Sequence, residues 1–191
     1  MELPHEKAYE SNVIYDGKII KVRVDKVVFP DGKKSVREVC EHVGGVGVLP
    51  VDDEGYVYLV RQFRYPYGEE LYEIPAGKLD LSDTETPLDC GIRELKEETG
   101  FSADKIEHLG KIYPSPGFLT EILYLFKATG LHMGDSETED DEFLALTKFS
   151  AEEVRDMILR GEIRDAKTIA AMYMSQLQNK QGDDNDKDTC G

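Results

Sequence analysis

Apolar and polar positions change period several times along the chain. "IIKVRVDKVVF" (19–29) and "SVREVCEHV" (35–43) flank "PDGKK" and are rich in valine at alternating positions. That pattern predicts an antiparallel hairpin. "GGVGVLPVD", "YVYLVRQFRY" and "LYEIPAG" predict further strands. Leu88, Ile92 and Leu95 then recur at helical spacing, which predicts a helix to about Thr99 with those three on its core face. Thr86 suits its N-cap, Pro87 its first position and Asp89 a capping box. Strands are expected near 105–113, 121–128 and 143–149, with an acidic loop at 133–142 between the last two. Ser150, with Glu153 as capping-box partner, starts a helix that Gly161 ends, and Asp165 starts the last one. Three regions result: an N-terminal antiparallel sheet (1–43), a main α/β domain (44–179) and an acidic tail (180–191) expected to be disordered.

The helix holding "RELKEETGF" raises a chemical question. Glu94, Glu97 and Glu98 lie three and four residues apart, so they share a face and repel. Gly100 reads as the C′ residue, which puts the carboxylates near the negative end of the helix dipole. A solvated, glutamate-rich helix end accounts for the spacing taken alone. Hard divalent cations, which take oxygen ligands and bring phosphates with them, account for it chemically.

Composition narrows the choice. The 191 residues carry a formal net charge of −16, with 40% hydrophobic and 32% charged residues. That suits a soluble globular protein and argues against nucleic-acid binding, since no basic patch stands out. Cys40, Cys90 and Cys190 have neither disulfide-framework nor zinc-ligand spacing. The chain has no apolar run of membrane-spanning length and "MELPHEKAYE" has no signal-like core, so a cytoplasmic, non-membrane protein is expected.

"GKLDLSDTETPLDCGIRELKEETGF" resembles the Nudix box of the Nudix hydrolases. Arg93, Glu94, Leu95, Glu97, Glu98, Gly100 and Phe101 fall in register, as does Glu85. Gly77 stands seven intervening residues before Glu85 where the family has five, so a two-residue insertion leaves Glu85 and Asp83 as rivals for the first acid's supporting role. The resemblance implies an α/β/α sandwich with a mixed sheet, and hydrolysis of a nucleoside diphosphate linked to another group. It implies Glu94 and Glu98 as principal metal ligands, Glu97 as a further one, the Ala76 carbonyl as a backbone ligand, and Arg93 as an orienting partner. Mg²⁺ is the implied cofactor, with Mn²⁺ as an alternative.

Pro116 in "YPSPGF", with "VREVCEHVGGVGVLP", "VRQFRYPYGEELYEIPAGK" and "DAKTIAAMYM", resembles the ADP-ribose pyrophosphatase branch. That branch implies cleavage of ADP-ribose to AMP and ribose 5-phosphate by a homodimer built through the N-terminal sheet. Arg37 and Glu38 resemble its nucleotide contacts and Arg64 a phosphate contact. An acidic loop like "MGDSETEDDE" supplies the group that activates water: Glu139 first, Glu142 second, with Asp141 a possible extra ligand and His132 a weaker alternative. Two other readings stand beside this one: hydrolysis of another nucleoside diphosphate sugar, and a non-catalytic module that senses ADP-ribose.

Overall fold

The computed structural model describes residues 3–79, 85–134 and 144–188, the last eight by backbone alone. The backbone divides into two units, Met1–Gly44 with Tyr113–Ile122, and Gly45–Ile112 with Leu123–Gly191.

In the first unit, β1 (Lys7–Asp16), β2 (Lys21–Val28) and β3 (Lys34–Glu41) form an antiparallel sheet in that order. The hairpin closes at Phe29–Lys33, where the Phe29 amide donates to the Lys33 carbonyl at 2.8 Å. Gly32 takes the left-handed conformation there (φ 83°), which a side chain disfavours. Every position of β1 is exposed. The segment 113–122 joins this unit through main-chain bonds: the Cys40 amide donates to the Phe118 carbonyl (2.7 Å), and the Thr120 amide to the Cys40 carbonyl (3.0 Å). The sequence gives no local sign of that pairing, so the unit extends beyond the 1–43 region expected.

The second unit contains β4 (Gly45–Pro50), β5 (Tyr56–Arg64), β6 (Glu69–Glu73), β7 (Ala76–Lys78), β8 (Phe101–Ile112), β9 (Leu123–Met133) and β10 (Ala145–Ser150). Its helices are α1 (Pro87–Thr99), α2 (Ala151–Leu159) and α3 (Ala166–Asp188). One sheet runs β7-β4-β9-β8, with β4 parallel to β9 and the other pairs antiparallel. A second, antiparallel sheet runs β10-β5-β6.

The run "GVGVLP" makes β4 central, because all six of its residues are buried. Val46 and Val48 pack with Cys90, Leu95, Phe101, Phe126 and Ala128 beneath α1. Leu49 faces the other way, toward Ile74, Leu125, Val154, Met157 and Met172 beneath α2 and α3. Each fully buried Leu or Val side chain contributes roughly 1.5–3 kcal/mol. Helices thus cover both faces, giving the α/β/α sandwich with a mixed sheet. Among the described residues no helix is long and apolar enough to cross a membrane.

Two expectations change. The buried face of α1 is Cys90, Gly91, Leu95, Glu98 and Thr99, whereas Leu88 and Ile92 are exposed. The glutamates therefore do not all lie off the core: Glu98 is buried, and the helix is rotated so that its charged stripe faces β7. The backbone of α3 also runs to Asp188, past the boundary at 180 expected for the tail. Its docked part reaches Gln178, whose Nε2 donates to the His108 carbonyl of β8 at 3.3 Å, and no proline follows to stop propagation.

Candidate active site

Local sequence fixes both ends of α1. The Thr86 hydroxyl accepts from the Asp89 amide (3.2 Å), the Asp89 carboxylate accepts from the Thr86 amide (3.1 Å), and Pro87 occupies the first turn. Gly100 closes the helix at φ 75°, its amide donating to the Lys96 carbonyl at 2.8 Å. Between these ends Arg93 collects carboxylates. Its Nε donates to Glu85 Oε1 (3.0 Å), and its Nη1 to Glu94 Oε1 (2.7 Å) and Glu97 Oε2 (2.8 Å). The fork answers part of the repulsion along the helix, since one delocalised cation meets three anions. Those carboxylates hold the Arg93 proton more firmly than usual, Glu85's hydrogen bond most of all.

Glu98 solves its placement differently. It is 6% exposed, and its Oε2 accepts the Ala76 amide at 3.0 Å. Glu94 meets the next residue: a methyl group placed on Gly77 would fall 1.9 Å from Glu94 Oε1. Both carboxylates therefore close on the same two residues of β7, and only glycine leaves room for the second.

These donors suit a hard divalent cation. They are all oxygen, they carry excess negative charge, and they flank main chain in a cradle that an alanine side chain would fill. Among the described residues no three acidic, histidine or cysteine side chains already stand close enough together to hold a metal ion. Arg93 stands between Glu85, Glu94 and Glu97, and a cation would compete with that guanidinium for Glu94 and Glu97.

Of the two rivals for the first acid's role, Glu85 is found on Arg93; Asp83 lies outside the described residues, as do Glu139, Asp141 and Glu142. His132, the weaker alternative, bonds to Asp104 Oδ1 at 2.8 Å through Nε2. Cys90 is not a nucleophile: burial first, then the charge of Glu85, pushes its thiol up to about 12.

Arg64 is held by Glu73, Nε and Nη2 donating to the two carboxylate oxygens at 2.7 and 2.8 Å. That hydrogen bonding strengthens its hold on the proton against the effect of burial, and the charges of Glu73, Glu98 and Asp165 add to it. Sequence reading missed Glu73. Its signal was a charged residue two positions from Leu71 on a strand whose alternate positions point inward.

The remaining candidates belong to the first unit. Arg37 forks onto Glu6 at 2.8 and 2.5 Å, Glu38 is exposed on β3, and Pro116 is exposed in a turn that Ser115 closes by accepting from the Leu119 amide at 3.0 Å.

Residues 41–172 match the NUDIX domain family, and residues 6–39 match the nucleoside diphosphate sugar hydrolase N-terminal domain family. The ADP-ribose pyrophosphatase of Bacillus subtilis (strain 168) is 39% identical over 180 residues, which cover 93% of this chain and 96% of that protein. The methanol dehydrogenase activator of Bacillus methanolicus is 36% identical over 179 residues, again 93% and 96% of the two chains. The crystal structure of an ADP compounds hydrolase superposes with a TM-score of 0.84 at 19% identity, covering 95% of this chain and 98% of that one, which speaks to the fold.

Proposed function

The chain belongs to the Nudix family, and from that premise we propose that it hydrolyses the pyrophosphate of ADP-ribose to AMP and ribose 5-phosphate. The observation that carries this reading is the joint approach of Glu94 and Glu98 to Ala76 and Gly77, with Arg93 gathering the helix's other acids. The similarity to an ADP-ribose pyrophosphatase across nearly the whole chain supports the choice of substrate.

Glu94 and Glu98 would hold divalent cations with the Ala76 carbonyl, Glu97 and Asp141 as further ligands. Mg²⁺ is the proposed ion, with Mn²⁺ able to replace it. When bound, such ions neutralise the pyrophosphate, lower the pKa of the attacking water and stabilise the departing phosphate. The chain's own residues do the rest. Arg93 orients Glu94 and Glu97, and the Ala76 amide fixes the Glu98 carboxylate. Glu139, or failing it Glu142, takes or orients the water's proton. Arg64 is the proposed phosphate contact, and Arg37, Glu38 and Pro116 are the proposed nucleotide-side contacts.

A homodimer formed through the N-terminal sheet belongs to the same proposal. Its support is the exposure of Tyr9, Val13, Ile14 and Tyr15 along β1, an apolar surface unusual for a strand that stays in water. A second substrate reading, another nucleoside diphosphate sugar, is favoured by the match of residues 6–39 to a nucleoside diphosphate sugar hydrolase domain.

A panel of nucleotide sugars assayed with Mg²⁺ and Mn²⁺ decides between them. AMP release from ADP-ribose, at the highest kcat/KM of the panel and abolished by chelation, is the expected result. Glu98→Gln should lower turnover by about 10²-fold or more, because the amide still accepts from Ala76 but loses the charge. Faster cleavage of a different nucleoside diphosphate sugar would move the substrate, and near-normal turnover in Glu98→Gln would remove the metal-site reading.

A further inference from the structure

A second polar cluster gathers around Glu73, at the end of β6. Glu73 is 2% exposed, Thr168 0% and Lys167 8%. Arg64 holds Glu73 from β5, and Nζ of Lys167 reaches the same carboxylate from the first turn of α3. Lys167 also donates to Asp165 Oδ1 at 3.0 Å. Asp165 in turn accepts from the amide and the hydroxyl of Thr168 at 2.9 and 2.6 Å. The Thr168 oxygen then accepts the Ile74 amide at 2.9 Å.

A buried ion pair is a poor way to gain stability. The desolvation penalty is several kcal/mol per ion, and apolar side chains of similar size often do as well. What the cluster does supply is direction. Every residue from Glu73 to Ala76 is tied down: Glu73 by its carboxylate, Ile74 by Thr168, and Pro75 by a carbonyl that accepts the Val48 amide at 2.9 Å. Pro75 also restricts its own φ. The fourth tie is the Ala76 amide on Glu98. The peptide that carries that amide is held directly by β4 at the Pro75 carbonyl, and α3 fixes the main chain one residue before it, through Thr168 on the Ile74 amide and Lys167 on Glu73.

We propose that Lys167 and Thr168 are positioning residues, which fix the 73–76 main chain so that the Ala76 amide presents Glu98 to a divalent cation. The inference rests on the metal-dependent reading above. Outer partners that orient a ligand typically carry 10–100-fold of metal affinity, and this cluster reaches the ligand through main chain instead of a direct side-chain bond.

The test is Mn²⁺ titration of the full chain without substrate, followed by the electron paramagnetic resonance of the free ion, beside thermal denaturation. Thr168→Val keeps the shape and removes the acceptor for Ile74. Lys167→Met keeps the stem and removes the charge, while Arg64 still holds Glu73. Both should bind Mn²⁺ roughly 10-fold more weakly or worse, and Thr168→Ser, which keeps the hydroxyl, should bind like wild type. A folded Thr168→Val or Lys167→Met with wild-type Mn²⁺ affinity overturns the inference, whatever its melting temperature. If the valine variant does not fold, the methionine variant decides; if neither folds, the cluster is merely structural and the inference falls. A wild-type chain that binds Mn²⁺ but leaves ADP-ribose intact refutes the substrate reading and leaves this inference to the titration. A wild-type chain that binds no Mn²⁺ overturns both.

Discussion

Nε of Arg93 donates to Oε1 of Glu85 at 3.0 Å, across the start of α1. The bond puts Glu85 on Arg93, while Asp83, its rival for the first acid's supporting role, lies outside the described residues. It also makes Arg93 a three-way junction, with Glu94 and Glu97 on Nη1. Lysine carries the charge but lacks the fork. Arg93→Lys should therefore lower kcat/KM for ADP-ribose by about 10-fold or more. Glu85→Gln, which keeps an acceptor, should cost less. Steady-state kinetics of the two variants check the order, and a lysine variant equal to wild type would show that charge alone suffices.

Gly77 offers a steric prediction. An alanine there places its methyl group against both oxygens of Glu94. The atoms it meets are the tip of a flexible side chain, so Glu94 should swing away with little loss of stability and take its carboxylate out of the site. Urea denaturation should therefore change little while AMP release falls. Unchanged turnover would mean that the position of Glu94 beside Gly77 is not needed.

How far could the sequence foresee this? It located α1 well, because Thr86, Pro87, Asp89 and Gly100 are local signals whose physics does not depend on the rest of the chain. It misjudged which face of α1 is buried. Leu88 and Ile92 outweigh Glu98 in any count of hydrophobicity, but the Ala76 amide makes burial of Glu98 tolerable. That bond joins residues 22 apart, and helical periodicity carries no trace of it. The Glu73–Lys167 pair spans 94 residues and was invisible for the same reason. The assignment of 113–122 to the first unit rests on main-chain pairing at Cys40, which a residue of almost any side chain could make.

Glu73 makes acid sensitivity predictable in sign. Burial pushes its carboxyl pKa up, but the hydrogen bonds and charges of Arg64 and Lys167 outweigh this and leave it below the usual range. A group whose pKa is lower in the folded state stabilises fully above its unfolded value, and that contribution is lost as pH falls through the folded one. Stability from this cluster should therefore hold above the ordinary carboxylate range, near pH 4.3, and decline below it. Glu73→Gln should flatten that acid limb and destabilise at pH 7, because Lys167 loses one of its two carboxylate partners and keeps only Asp165. Urea midpoints of both proteins from pH 3 to 7 provide the check; parallel acid limbs would assign the loss to other groups.

The dimer proposal concerns the first unit. Tyr9 and Val13 are about half exposed, and Ile14 and Tyr15 more so. Light scattering at micromolar concentration should return about twice the 21.6 kDa chain mass. Val13→Asp should shift that mass toward a single chain, since a charge desolvated in an apolar interface is costly. A native chain that scatters as a monomer refutes the proposal outright.

The proton acceptor is the remaining chemical requirement. Glu85, Glu94 and Glu97 are engaged by Arg93, and Glu98 by the Ala76 amide. Glu94, Glu97 and Glu98 are also the proposed ligands, and a carboxylate bound to a cation is a poor base. His132 is tied to Asp104. Unless the metal alone activates the water, the acid–base group is sought in the acidic stretch 133–142, where Glu139 is the first candidate and Glu142 the second. A carboxylate beside bound cations stays ionised at neutral pH, which suits the role. Glu139→Gln should lower kcat by roughly 10²–10⁴, the usual range for a lost acid–base group, with Mn²⁺ affinity little changed. Glu142→Gln and His132→Asn run in parallel as controls. A collapse confined to Glu142→Gln moves the role to that residue, and three variants that all turn over like wild type would leave water activation to the metal alone.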